Sequence, residues 1–168
     1  MWHNQVVQKI NSKESADSDR LLLDRQLCFP LYAASRAVTA RYGPLLSELG
    51  LTYPQYLVML VLWEQSPVSV GELGERLRLD SGTLSPLLKR LQAAGLVDRR
   101  RDVEDERRVL VALTPAGVSL RERARHVPAA IAAALGLDED SYVQLQAQLS
   151  ELLCRLAPAN ESQGAPIS

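Results

Sequence analysis

Between Ser69 and Leu113 the spacing of apolar residues changes once, and that change limits the architectures open to the chain. Val70, Leu73 and Leu77 recur at three and four residues, as do Leu84, Leu87, Leu88 and Leu91, the period of a helix with one apolar face. Ser69-Val70-Gly71-Glu72 opens the first series with a capping box, predicting a short helix from Val70 to Leu79. Asp80-Ser81-Gly82-Thr83 opens the second, and Gly95 stops it. Beyond Gly95 the period falls to two. Val109, Val111 and Leu113 alternate with Arg108, Leu110 and Ala112, which predicts a strand, and Leu96 to Arg101 supplies its partner across an acidic turn at Asp102 to Glu106.

The flanks read as helices. Leu21, Leu22, Leu27, Leu31, Val38 and Leu45 or Leu46 open a long helical series, in which Pro30 either kinks the helix or marks its first turn. Gly43-Pro44 and a short run follow, and Thr52-Tyr53-Pro54-Gln55 caps a helix that stops before Pro67. Thr114-Pro115 caps a further helix to about Arg125, Pro128 breaks it, and Asp138 caps a long last helix with a seam of Leu145, Leu149, Leu152 and Leu156. Residues 1–20 and 158–168 are expected to be flexible ends. The expected organisation is N-terminal helices over 21–66, a helical pair with a hairpin over 67–115 and C-terminal helices over 116–157.

Helix, tight turn, helix and arginine-bearing hairpin is the order of a winged helix-turn-helix, so the fold class is α+β and mainly helical. Lys and Arg total 19 against 20 Asp and Glu, a net charge of -1, so any binding to nucleic acid must come from local geometry rather than bulk charge. Ser81, Thr83 and Ser85 are small hydroxyl residues in the first turns of the second helix, joined by Pro86, and Lys89 and Arg90 follow with no acid between Ser81 and Gln92. In the hairpin five arginines (99, 100, 101, 107, 108) face five acids (98, 102, 104, 105, 106), so its net charge is zero. Asp105 is placed to orient Arg107 towards a minor groove. The competing reading is that Ser81 and Thr83 only cap a helix and the hairpin is a solvated edge. No apolar run reaches the ~20 residues of a membrane span, no secretory signal is recognisable, and no metal-ligand spacing or cofactor motif occurs, so a cytoplasmic chain without membrane partner, metal or cofactor is expected.

Two cysteines lie far apart. Cys28 is followed one helical turn later by Tyr32, and Tyr42 and Tyr53 flank the connection into the next helix. A phenol can donate to a thiolate, and a thiolate with donors reacts with peroxides to give a sulfenic acid. The plain alternative is a small buried thiol among core aromatics. Cys154, at about 100° per residue, lies about 180° from the leucine seam of the last helix and is expected to face away from the core.

Leu27-Cys28-Phe29, Leu31-Tyr32-Ala33-Ala34-Ser35-Arg36, Tyr42, Leu51-Thr52-Tyr53-Pro54-Gln55-Tyr56, Leu79 through Arg90 and Asp105-Glu106-Arg107 together closely resemble the organic hydroperoxide resistance regulators (OhrR) of the MarR family. The resemblance spans roughly residues 21–125. It implies a homodimeric, non-enzymatic repressor, with 67–115 as its winged DNA-binding domain and the helices of 21–66 and 116–157 as its dimerisation region, that binds double-stranded operator DNA when reduced and leaves it when Cys28 is oxidised by an organic hydroperoxide. It also implies that Cys28 is held near Tyr42 and Tyr53 of the other protomer and that Tyr32 moves on oxidation. Two-cysteine members carry a resolving cysteine after the helix that follows the wing, a region where Ala129 to Leu135 has none, which leaves Cys154 open as a resolving thiol, a bystander to a mixed disulfide or an inert thiol. The alternatives are a MarR-type repressor released by a small aromatic ligand and a thiol peroxidase.

Overall fold

The computed structural model describes residues 21–156, so the expectations for both ends of the chain lie outside the described residues. After a short 3-10 turn at Leu23–Arg25 come seven helices: α1 Cys28–Ser47, α2 Tyr53–Glu64, α3 Val70–Leu77, α4 Ser81–Ala93, α5 Pro115–Ala124, α6 Val127–Leu135 and α7 Glu139–Leu156. Strands β1 Val68–Ser69, β2 Val97–Arg101 and β3 Val109–Leu113 form one antiparallel sheet in the order β1-β3-β2. The chain divides into two units after Arg125, and each is described by itself.

The helix starts follow the sequence because capping is local chemistry. The Thr52 backbone N–H donates to Gln55 Oε1 at 2.8 Å, and Ser69 and Glu72 complete a reciprocal box at 2.9 and 3.2 Å. Asp80 accepts from the Thr83 N–H at 2.8 Å, Thr114 from Gly117 at 3.1 Å and Asp138 from Ser141 at 2.8 Å. Pro30 falls in the first turn of α1, where a missing N–H costs nothing.

Several boundaries differ from expectation. Helix α1 runs on through Gly43-Pro44. Pro44 forfeits one helical bond, but the chain stays helical to Ser47, whose Oγ donates to the Pro44 carbonyl at 2.7 Å, and buried Leu46 and Leu49 hold the exit. Helix α3 stops at Leu77 rather than Leu79, because Arg78 turns left-handed at φ 53° and the Leu79 N–H returns to the Gly74 carbonyl. Pro128 opens α6 as well as breaking α5.

The first unit is built around α2, which buries Tyr56, Val58, Met59, Val61 and Leu62. Leu84, Leu88 and Leu91 of α4, Leu73 of α3, Val97 of β2 and Val111 of β3 are fully buried, each burial being worth about 1.5–3 kcal/mol. The sheet is pinned at its root. Trp63 Nε1 donates to the Gly117 carbonyl at 2.9 Å, Thr114 Oγ1 to Gly95 at 2.6 Å and the Leu113 N–H to Ser66 Oγ at 3.0 Å.

Gly117 passes so close to β2 that a Cβ there would stand 2.1 Å from the Leu96 carbonyl oxygen. Gly117→Ala should therefore cost about 1–3 kcal/mol in urea unfolding. Gly71→Ala, whose Cβ would meet nothing nearer than Ser69 Oγ at 3.9 Å, should be neutral or stabilising by up to about 1 kcal/mol.

Candidate functional site

Helix α4 separates its two faces cleanly. Leu84, Leu88 and Leu91 are buried, while Ser81, Thr83, Pro86, Lys89 and Arg90 are exposed and Ser85 is half-buried. Asp80, not Ser81, is the cap, and it takes the Thr83 hydroxyl hydrogen as well at 2.8 Å. Thr83 thus offers an incoming group its oxygen lone pairs but not its hydrogen. Pro86 lies inside the helix and leaves the Gly82 carbonyl without its helical partner on the exposed first turn.

The hairpin is in register from Val97 opposite Leu113 to Arg101 opposite Val109. At its tip Asp105 holds Arg107 through the side chain, Nε at 3.1 Å and Nη2 at 3.4 Å, and through its backbone N–H at 3.1 Å. The Arg107 side chain remains 92% exposed. A guanidinium so held is oriented before anything binds it. Arg108 turns back instead, its Nη2 3.6 Å from Glu72 of α3, which ties the hairpin to the helical pair.

The residues of the cysteine region do not meet in one chain. Cys28 is exposed in the first turn of α1, with Leu27, Phe29, Leu31 and Tyr32 exposed around it. At about 1.5 Å per residue Tyr42 lies about 21 Å along the helix axis, beyond reach of the thiol. Tyr42 and Tyr53 do come together, ring centres 4.7 Å apart, and Tyr42 also stands 5.9 Å from Tyr56, whose ring is 6.2 Å from Trp63. Burial, with the neighbouring Tyr53, raises the Tyr56 phenol above its ordinary value. Cys154 is exposed on α7 in the second unit, pointing out as expected, but the leucines named as the seam are not buried either: Leu145, Leu149 and Leu156 are exposed and Leu152 is half-buried. Spacing alone did not single out Arg36, whose Nη1 donates to the Tyr32 phenol oxygen at 2.8 Å, although the four-residue step between them was readable.

Two capped helices with an exposed polar face, followed by an arginine-tipped hairpin, define a winged-helix DNA-binding regulator. Comparison with known proteins agrees. Residues 40–123 match the SarA/Rot family of transcriptional regulators. The organic hydroperoxide resistance transcriptional regulator of Bacillus subtilis (strain 168) is 48% identical over 145 residues, 84% of this chain and 97% of that one. AbfR of Staphylococcus epidermidis is similar in three solved states. The reduced, DNA-bound form is 38% identical with a TM-score of 0.65, covering 82% of this chain and 98% of AbfR. The overoxidised, DNA-bound form is 39% identical at 0.64 (81% and 98%), and the disulfide form 37% at 0.57 (86% and 95%). The chain belongs to the MarR family of winged-helix transcriptional regulators, and within it to the organic hydroperoxide resistance type. It is a regulator and not an enzyme.

Three carboxylates of the site are held below their ordinary values, 3.8 for Asp and 4.5 for Glu: Glu72 by the Ser69 hydroxyl and N–H, Asp80 by the Thr83 N–H and hydroxyl, and Asp105 by the Arg107 guanidinium and N–H. Each binds fewer protons folded than unfolded. Their stabilisation is complete above about pH 5 and is lost as pH falls through the depressed folded values. Acid titration followed by circular dichroism should show stability falling below about pH 4. Asp80→Asn, which still caps but cannot titrate, should have a shallower fall.

Proposed function

We propose that this chain is a homodimeric repressor that holds double-stranded operator DNA while Cys28 is reduced and lets it go when an organic hydroperoxide oxidises Cys28. In this reading residues 21–66 carry the sensor, 67–115 the winged unit and 116–157 the dimerisation helices, and the protein works in the cytoplasm. None of the helices among the described residues is long and apolar enough to cross a membrane. The observation that carries the reading is the exposed Cys28 in an exposed apolar stretch, too far along α1 to reach the Tyr42–Tyr53 pair of its own chain. A second copy laid over that stretch would cover the leucines and bring its own Tyr42 and Tyr53 to the thiol. The phenols then donate to the sulfur and favour its thiolate.

The chemistry is a two-electron transfer. The thiolate attacks the terminal oxygen of the hydroperoxide, an S–O bond forms, the O–O bond breaks, and the alkoxide leaves and takes a proton from water. Cys28 is oxidised to the sulfenic acid and the hydroperoxide is reduced to the alcohol. Condensation with a second thiol expels water and leaves a disulfide. That overoxidised AbfR was obtained bound to DNA favours the disulfide, not the overoxidised sulfur, as the releasing species. The second thiol is a low-molecular-weight one, since the usual resolving region lacks cysteine, with Cys154 as the chain's own alternative.

On DNA, Ser81, Thr83, Ser85 and Pro86 lie against the major groove, Lys89 and Arg90 take phosphates, and Arg107, steadied by Asp105, enters the minor groove of the flank. Lys89→Ala should weaken binding to all sequences and lower the salt dependence by about one unit of slope. Arg107→Ala should cost ~1–3 kcal/mol, mainly on A·T-rich flanks. Asp105→Ala should lower affinity in the same flank-dependent way by loosening Arg107. Fluorescence anisotropy across a salt series reads all three.

The sensor is tested with cumene hydroperoxide and a low-molecular-weight thiol added to protein bound to operator. The parent and Cys154→Ser should release and Cys28→Ser should stay. Release that persists in Cys28→Ser refutes the assignment. On a non-reducing gel the parent should remain monomeric while intact mass gains an oxygen or the added thiol. A covalent dimer that disappears in Cys154→Ser would give the resolving role to Cys154.

A further inference from the structure

Arg36 lies one turn beyond Tyr32, as Tyr32 lies one turn beyond Cys28. Steps of four residues advance only about 40° around a helix, so the three side chains follow one another along one face of α1. Helical side chains lean towards the N-terminus, so each covers the turn before its own. Arg36 does this visibly: Nη1 donates to the Tyr32 phenol oxygen at 2.8 Å, and the guanidinium carbon stands 5.5 Å from the centre of the Tyr32 ring. One side chain thereby fixes both the oxygen and the plane of its neighbour.

The direction of that hydrogen bond has a consequence. A guanidinium has donors and no acceptor. The phenol can only receive from Arg36, so its own hydrogen is left for another acceptor. Donation into the oxygen also polarises the O–H and strengthens whatever bond it makes. Charge points the same way. Helix α1 contains Arg36 and Arg41 but no Asp or Glu, and the nearest acid before it is Asp24. Apart from its tyrosines, the one side chain of α1 able to become an anion is Cys28.

We infer that Arg36 is a positioning residue of the redox sensor: it holds the Tyr32 phenol with its hydrogen directed away from the guanidinium, towards the Cys28 sulfur. This rests on the reading of Cys28 as the sensor. It assigns Tyr32 a donor in its own chain, separate from the Tyr42–Tyr53 pair.

The test uses the full chain carrying Cys154→Ser, so that one thiol reports. Iodoacetamide alkylation is followed against pH, and oxidation by cumene hydroperoxide is followed by intact mass. Arg36→Met keeps the stem but removes charge and donors; it should move the alkylation profile to higher pH and slow oxidation by about three- to tenfold, the size of one hydrogen bond. Arg36→Lys keeps the charge without the planar fork and should fall between Arg36→Met and the parent. Tyr32→Phe should slow oxidation similarly, and adding Arg36→Met to it should change little further, because Arg36 acts through the phenol. A parent that is oxidised while Arg36→Met and Arg36→Lys keep its profile overturns the inference alone, as do full, additive effects in the double variant. A parent whose Cys28 gains no oxygen overturns the sensor reading and this inference together.

Discussion

The indole N–H of Trp63 donating to the Gly117 carbonyl at 2.9 Å is the contact on which the placement of the winged unit depends. Trp63 ends α2, the helix that buries most of its length, and Gly117 lies in the first turn of α5, where the chain leaves the sheet. Around that bond the Thr114 hydroxyl reaches the Gly95 carbonyl, and the Gly117 backbone passes so near Leu96 that no side chain fits between. The hairpin is therefore rooted at both strands, and its tip, with Arg107, is positioned by the same packing that holds the core of the first unit. The tyrosine pair near the end of α1 is joined to this root by ring contacts through Tyr56.

How much of this was legible in the sequence depends on how far each determinant lies from what it determines. Caps at Thr52, Ser69, Asp80, Thr114 and Asp138 were readable because donor and acceptor lie three residues apart. The hairpin was readable from its period of two. The passage of α1 through Pro44 was not, because burial of Leu46 and Leu49 further on decides it. Two-residue β1 shows no period, and its pairing with β3 spans more than forty residues. Nor could spacing reveal that α6 restarts at Pro128.

The candidate site divides along the same line. The Asp105–Arg107 contact is two residues wide, a span over which spacing is readable. The Cys28 region was read as a set of residues, but one chain brings together only Tyr42 with Tyr53 and Tyr32 with Arg36. What would close the set is a second chain, and the place where it would lie is written in exposed leucines rather than in any contact.

Those leucines carry an energetic consequence. Leu21, Leu22, Leu23 and Leu27 in the first unit and Leu145, Leu149, Leu153 and Leu156 in the second stand 39–86% exposed, apolar area in each unit that water penalises while the chain is alone. If two copies pair as proposed, folding and pairing become one equilibrium governed by mass action, and the melting temperature would rise with protein concentration. In the proposed dimer the number of assembled repressors falls with the square of the chain number once the cell holds few copies. Dilution by growth, or slow turnover of the chain, would then relieve repression more steeply than in proportion, with no change at the cysteine.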